Sequence, residues 1–273
     1  MAIEVFSMNA RDCFSDEARA RQLIDRVGEL SPSVAVFPEA YTEGEEDLLD
    51  DVQEELSELG YLVTYGHYDD ADGRSDRHGI LSVVRESLAV PGRSGQLVRT
   101  AGRNAVEQWL TDPETELTTH FVGVHLDDRE ESTRMAQART LRGDIVAGDF
   151  NAMHPGQDKN PKMMVAHSIA MLTRMGIMPK ATPQSIEEKF SLGKIGSLGY
   201  RLHGMGLGTT MANLAACYQD ADPDFQPTMP ASKPFAQLDH ILVRPSYDVT
   251  DFAVLPHNGE SDHRGIMARV VVR

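Results

Sequence analysis

The sequence predicts a fold of the α/β (α+β) kind, in which buried strands form a mixed sheet, or two packed sheets, covered by a few amphipathic helices. Three observations lead there. Short Val- and Ile-rich runs recur along the whole chain, helical patterns separate the early ones, and the C-terminal part is mostly strand and loop. A strictly alternating parallel sheet would need helices between its last strands as well, so a mixed sheet fits better.

In chain order, the predicted strands are Ile3 to Met8, Val34 to Phe37, Gly79 to Val84, His120 to Val124, Asp144 to Ala147, Leu238 to Val243 and Ile266 to Val272. Asp16 to Leu30 carries Ala18, Leu23, Val27 and Leu30 at near-helical spacing, and Glu45 to Leu59 carries Leu48, Leu49, Val52, Leu56 and Leu59. Ser132 to Leu141 and Pro161 to Met175 are also predicted helices. The acids of Glu43 to Glu58 interleave with the leucines, which reads as a solvated helix face rather than a cation store. Six glycines between Gly193 and Gly208 predict a loop or irregular hairpin. Neither repeat nor low-complexity linker divides the chain, so one domain spanning 1–273 is expected.

The 273 residues are 41% hydrophobic and 25% charged, ample for a sizeable core and unlike a disordered chain. Forty-two acids against 26 Lys and Arg give a net charge of -16, which argues against non-specific adhesion to DNA or acidic lipid. A local basic face or bound divalent cations would still attract phosphate. No apolar run reaches bilayer length, and Met1-Ala2-Ile3-Glu4 lacks the basic and hydrophobic regions of a signal peptide, so a cytoplasmic location without a membrane span is expected. Cys13 and Cys217 are too few for a disulfide framework and read as unpaired core or subsurface thiols.

Polar residues collect where the predicted strands end. Gly148-Asp149-Phe150-Asn151 follows the run Asp144 to Ala147, and in extended backbone Asp149 and Asn151 point to the same side. By itself such a segment also reads as an ordinary strand-ending turn. It has company, however. Met8-Asn9 closes the first strand, Pro38-Glu39 follows the second, His125-Leu126-Asp127 ends another, Leu238-Asp239-His240 opens a late one, and Ser261-Asp262-His263 precedes the last.

In these ordered motifs, spanning Asn9 to His263, the chain resembles the endonuclease/exonuclease/phosphatase superfamily, which includes DNase I-like nucleases, abasic-site endonucleases, sphingomyelinases and inositol-phosphate phosphatases. The resemblance implies a DNase I-like four-layer sandwich: two packed mixed β-sheets flanked by helices, with the site at one end. It further implies Mg²⁺- or Mn²⁺-dependent hydrolysis of a phosphoester by a directly attacking water. Glu39 would be the principal metal ligand, with Asn9 and Asp262 completing the shell. Mg²⁺ suits this set because it prefers oxygen and takes few protein carboxylates. Asp149 would act as the base, Asn151 and His263 would bind the phosphoryl oxygen as its charge grows, Asp239 would orient His263, and His125 would contact phosphate or protonate the leaving group. Two positions depart from the pattern. Arg11 stands where some nucleases carry an acid, making a phosphate contact the expectation there, and Asp127 is expected to cap the helix beginning near Glu130. His78, before Gly79, occupies a position that in relatives often holds a site-facing polar residue.

The segment 156–215 has four more Lys and Arg than Asp and Glu, in a chain that is otherwise acidic. It is expected to form a substrate-recognition insertion, with Lys159, Lys162, Lys194 and Arg201 facing the phosphoester. A solvated helix pair is the plain alternative. Its seven methionines read as core packing, or as an adaptable groove for a base or lipid. The leading expectation is a phosphodiesterase acting on nucleic acid or a nucleotide-like diester; a phosphomonoesterase, a phospholipid diesterase and a catalytically silent binding module are the alternatives.

Overall fold

The computed structural model describes residues 1–11, 16–41, 46–67, 78–100, 104–127, 130–152, 209–229, 231–232, 234 and 236–273, without the side chains of 41, 46, 47, 67, 78, 99, 104 and 209. The strands are β1 (Ala2–Ser7), β2 (Val34–Tyr41), β3 (Tyr61–His67), β4 (His78–Arg85), β5 (Gln96–Arg99), β6 (Asn104–Thr111), β7 (Thr118–His125), β8 (Ile145–Asp149), β9 (Gln219–Asp220), β10 (Asp239–Val243), β11 (Tyr247–Val254) and β12 (Ile266–Val272). The helices are α1 (Glu17–Leu30), α2 (Glu46–Glu58), α3 (Glu131–Ala138) and α4 (Thr209–Leu214).

Two mixed six-stranded sheets result, in the orders β11-β12-β1-β2-β4-β3 and β5-β6-β7-β8-β10-β9. Strand alternation decides what each face meets. From β1, Ile3 and Val5 point between the sheets, where they join Val34, Val36, Val106, Phe121, Ile145, Ile241, Ile266 and Val270 in a fully buried layer. Phe6 points the other way, to Leu23, Val27, Val52 and Leu56 of α1 and α2. On the far side, Val122, Val146 and Leu242 pack against Ala138, Met211 and Leu214 of α3 and α4. The layers are therefore helix, sheet, sheet, helix, as the resemblance implied.

Local signals explain the helices. Asp16 caps α1 by accepting from the Ala18 and Arg19 amides, and Ala20, Leu23, Ile24 and Val27 form its buried face. Along α2, Leu49, Val52 and Leu56 are buried while Asp50, Asp51, Glu54 and Glu58 stay exposed, so the acidic stretch is a solvated face. Ahead of α3, Asp127 accepts from the Glu130 amide at 2.6 Å, close to the capping role expected of it.

Strand direction positions the site. β1 runs parallel to β2, and β7 parallel to β8, so the C-terminal ends of each pair lie together. β12 is antiparallel to β1 and β10 antiparallel to β8, so the beginnings of these two strands reach the same end of the sandwich. Ser7 thus pairs with Ile266, and Asp149 lies between His125 and Asp239.

Candidate active site

Asn9, Glu39, His125, Asp149, Asn151, Asp239 and His263 come from six chain segments and converge at that end. The backbone there takes forms that ordinary strands avoid. β2 carries a bulge between Pro38 and Ala40, and the extra residue, Glu39, has φ 56°. Pro38 suits the break because it has no amide hydrogen to donate, while its carbonyl accepts from the Ala10 amide at 2.6 Å. Asn151 and Arg11 also have positive φ, 48° and 37°. Left-handed backbone at such residues costs free energy and persists where surrounding contacts impose it. Gly148 answers a different demand. Its φ is 145°, and a β-carbon there would lie 1.9 Å from the Val124 carbonyl oxygen.

Asp149 is the centre of the cluster and is buried. Its Oδ2 accepts from Asn9 Nδ2 at 2.9 Å, and its Oδ1 accepts from the Asn151 amide at 2.8 Å. Burial pushes its carboxyl up to about 6, against the opposing charge of His263, with the Asp239 carboxylate adding to the rise. Beside it, His263 Nδ1 meets Asp239 Oδ2 at 2.7 Å, and Thr228 donates its hydroxyl to the same oxygen, also at 2.7 Å. Burial alone would lower the His263 pKa; the Asp239 carboxylate overrides it by charge and hydrogen bond and lifts it to about 10. The ring is therefore an imidazolium near neutral pH, fixed by a carboxylate that Thr228 in turn holds.

His125 Nε2 faces three groups: the Asn151 amide nitrogen at 2.9 Å, Glu39 Oε1 at 3.6 Å and Asp149 Oδ2 at 3.8 Å. Asn151 also donates to the Leu126 carbonyl at 3.0 Å. Arg11 pairs with Asp262 at 2.8 Å, and Asn9 Oδ1 accepts from the Arg11 amide at 2.9 Å. Asn9 thus meets the cluster through its amide nitrogen, and the Asp262 carboxylate is held by Arg11. Ser261 ties the loops together, donating to the Asn9 carbonyl and accepting from the His263 amide.

The donor set fits a hard divalent cation. Ligand atoms of Glu39, His125 and Asp149 lie within 4.8 Å of one another, as do those of Asp149, Asp239 and His263. Asp239 Oδ1 is buried without a hydrogen-bond partner among the described residues. Asp149 is common to both groups, and with Glu39 on one side and the unsatisfied Asp239 oxygen on the other it offers carboxylate oxygens that a cation would neutralise.

The structure brings together every predicted catalytic residue and adds Thr228, which no sequence pattern singled out. His78 begins β4 opposite Tyr41, close in register to the Glu39 bulge, but its side chain is outside the described residues. Lys159, Lys162, Lys194 and Arg201, the helix expected at Pro161 to Met175 and the glycine-rich stretch also lie outside them. Met211 is buried in the core, as the packing reading expected. Cys217 is exposed, correcting its expected burial: it sits in the turn after α4, with its side chain outside the packed face.

Four layers, two mixed sheets and a carboxylate- and histidine-rich end define a DNase I-like protein. The family model for the Endonuclease/Exonuclease/phosphatase family matches residues 12–263, and the chain belongs to that family, whose members hydrolyse phosphoesters. Solved structures agree on the fold. An endonuclease/exonuclease/phosphatase from Beutenbergia cavernae is 16% identical, with a TM-score of 0.65 over 99% of this chain and 72% of that one. The human Nocturnin catalytic domain with bound sulfate is 18% identical, with a TM-score of 0.58 over 100% of this chain and 94% of that one. D. rerio TDP2 complexed with a single-strand DNA product is 14% identical, with a TM-score of 0.56 over 99% of both chains. No curated protein matches the chain. No described helix is long and apolar enough to cross a membrane.

Proposed function

We propose that the protein is a phosphodiesterase that depends on Mg²⁺ or Mn²⁺ and acts on nucleic acid or a nucleotide-like diester. The observation that carries this reading is the Asp239–His263 pair at 2.7 Å set beside the buried Asp149, with Glu39 facing the same cluster from a strained bulge. A binding protein has no need of a fixed imidazolium next to a carboxylate and a cation cradle. The resemblance of the fold to TDP2 bound to a DNA product favours a nucleic acid or nucleotide-like substrate.

Glu39 would be the principal cation ligand; the Asn9 carboxamide oxygen, bonded here to the Arg11 amide, and the Asp262 carboxylate, paired here with Arg11, would complete the shell on releasing Arg11. The cation supplies Lewis-acid polarisation of a phosphoryl oxygen. The remaining work falls to the side chains. Asp149, held by Asn9 and by the Asn151 amide, takes the proton of the attacking water. His263, kept charged by Asp239, donates to the phosphoryl oxygen that gains charge, and the Asn151 carboxamide would join it on turning from His125. His125 would contact the phosphate or protonate the leaving oxygen. Arg11, at the rim, binds a neighbouring phosphate.

The test is release of p-nitrophenol from bis-p-nitrophenyl phosphate with Mg²⁺, with Mn²⁺ or with chelator. Metal-dependent turnover is expected, falling by at least about 10³-fold in Asp149→Asn and Glu39→Gln, a loss typical of removing such groups. Turnover insensitive to chelator, or equal in wild type and Asp149→Asn, would overturn the proposal. A panel of abasic-site duplex, single and double strands, a sphingomyelin-type lipid and inositol phosphates then identifies the substrate.

A further inference from the structure

At the opposite end of the second sheet, among the segments that precede β8 and follow β10, lies a cavity of about 510 Å³. It is bounded by the C-terminal end of α3, the turn after α4 and the β10 exit. Arg139, Arg142 and Arg244 line it, and among the described residues no carboxylate does. That composition runs against a chain whose acids outnumber Lys and Arg by 42 to 26. The five residues of β8 separate it from Asp149 by about 15 Å of extended chain, so it is distinct from the catalytic cluster.

The three guanidinium groups are held to different degrees. Arg244 is fixed: its Nε donates to the Gly143 carbonyl at 3.2 Å, and its guanidinium carbon lies 5.0 Å from the Tyr218 ring centre. Arg142 donates to the Arg139 and Leu141 carbonyls at 2.7 and 2.8 Å from a single terminal nitrogen. The exposed Arg139 guanidinium makes no hydrogen bond with a described residue. Donors therefore remain at the cavity mouth, while Leu141, Leu214 and the edge of Tyr218, all largely buried, form its apolar floor. A guanidinium fork matches a phosphate geometrically and stays charged at every relevant pH. The volume is typical of a small-molecule site.

We infer that this cavity binds a small phosphomonoester of nucleoside monophosphate size, with its phosphate on Arg139 and Arg142 and its body against Leu141 and Tyr218. Cys217, exposed on the cavity wall, provides a local reporter. The chain has two cysteines, so a Cys13→Ser background leaves one thiol.

In that background, with chelator present, the rate of Cys217 alkylation by iodoacetamide is measured against adenosine monophosphate, inorganic phosphate, adenosine and sodium chloride of matched ionic strength. Adenosine monophosphate at about 1 mM is expected to slow alkylation by roughly fivefold or more, equivalent to a dissociation constant of about 0.25 mM or tighter. Phosphate should protect less, and adenosine and salt should not protect. Arg139→Gln with Arg142→Gln should abolish protection while hydrolysis at the catalytic end continues; Arg139→Gln alone, at an exposed side chain, serves if the double variant folds poorly. Alkylation unaffected by adenosine monophosphate, protection matched by chloride, or protection surviving in the variants would each overturn the inference.

Discussion

Asp220→Asn probes how the catalytic loop is held. His240 is completely buried, with Phe150 edge-on to its ring at 5.5 Å. Its Nδ1 meets Asp220 Oδ2 at 2.7 Å and its Nε2 meets the Ala152 carbonyl at 2.9 Å. Both partners are acceptors, so both ring nitrogens donate and the ring is charged. Burial would lower the pKa of His240, but the Asp220 charge and hydrogen bond, with the Ala152 carbonyl, raise it above the ordinary histidine value. Removing one member of a buried pair typically costs about 3–5 kcal/mol, and the asparagine oxygen can keep one neutral hydrogen bond worth about 1 kcal/mol. The expected loss is therefore about 2–4 kcal/mol, or roughly 3–7 °C in Tm for a chain of this size. A raised folded pKa contributes stability that is complete below the unfolded value of about 6.5 and disappears as pH climbs through the folded value. Melts followed by circular dichroism should show the wild-type advantage in full near pH 6 and diminished near pH 9. Because Ala152 follows directly on Asp149 and Asn151, kcat should also fall, by about tenfold or more. Equal Tm values near pH 6, or an advantage that grows with pH, would refute the reasoning.

Gly148→Ala should cost more than about 4 kcal/mol in urea denaturation, because its β-carbon meets backbone in the β7–β8 pairing and its φ of 145° is strained for an L-residue. Gly92→Ala, with positive φ (74°) but nothing within 4 Å, should cost only about 1–2 kcal/mol; comparable costs would show that strain rather than contact governs Gly148. For Glu260→Gln the pH dependence is reversed. Burial would raise the Glu260 pKa, but Arg26, 2.8 Å away, and the Asn258 amide at 2.7 Å leave it below the usual value. Its contribution, about 1–2 kcal/mol, is present above about pH 4.5 and lost as pH falls through the depressed value. Melts of the two proteins should differ near pH 7 and converge toward pH 3; a constant difference would place the effect elsewhere.

The strands visible in the sequence are mostly the well-buried ones. β8 and β10 are buried along their whole length, because sheet packs on one side and helices on the other, while β1 and β12 keep recognisable apolar runs although Glu4 is only partly buried and Arg269 is exposed. β3, β5, β6, β9 and β11 were not predicted. β11 lies at a sheet edge and exposes Thr250 and Asp251, β9 has two residues, and β6 mixes Glu107 and Gln108 into its apolar positions. Partly solvated strands need no unbroken apolar pattern, so their sequences carry less of one.

Of the site, residue types at strand ends were legible because local sequence reveals where an apolar run stops and which polar side chains stand just beyond it. Asn9, Glu39, His125, Asp149, Asn151, Asp239 and His263 were therefore identifiable from the sequence. Local sequence does not contain which oxygen or nitrogen each side chain meets. Only the packing of the two sheets, with β10 and β12 running antiparallel to β8 and β1, decides that Thr228 holds Asp239, that Arg11 takes Asp262, and that His240 fastens the Asp149 loop to β9. Those contacts join residues up to 251 positions apart, as Arg11 and Asp262 are, and depend on where folded chains cross rather than on what stands beside each residue.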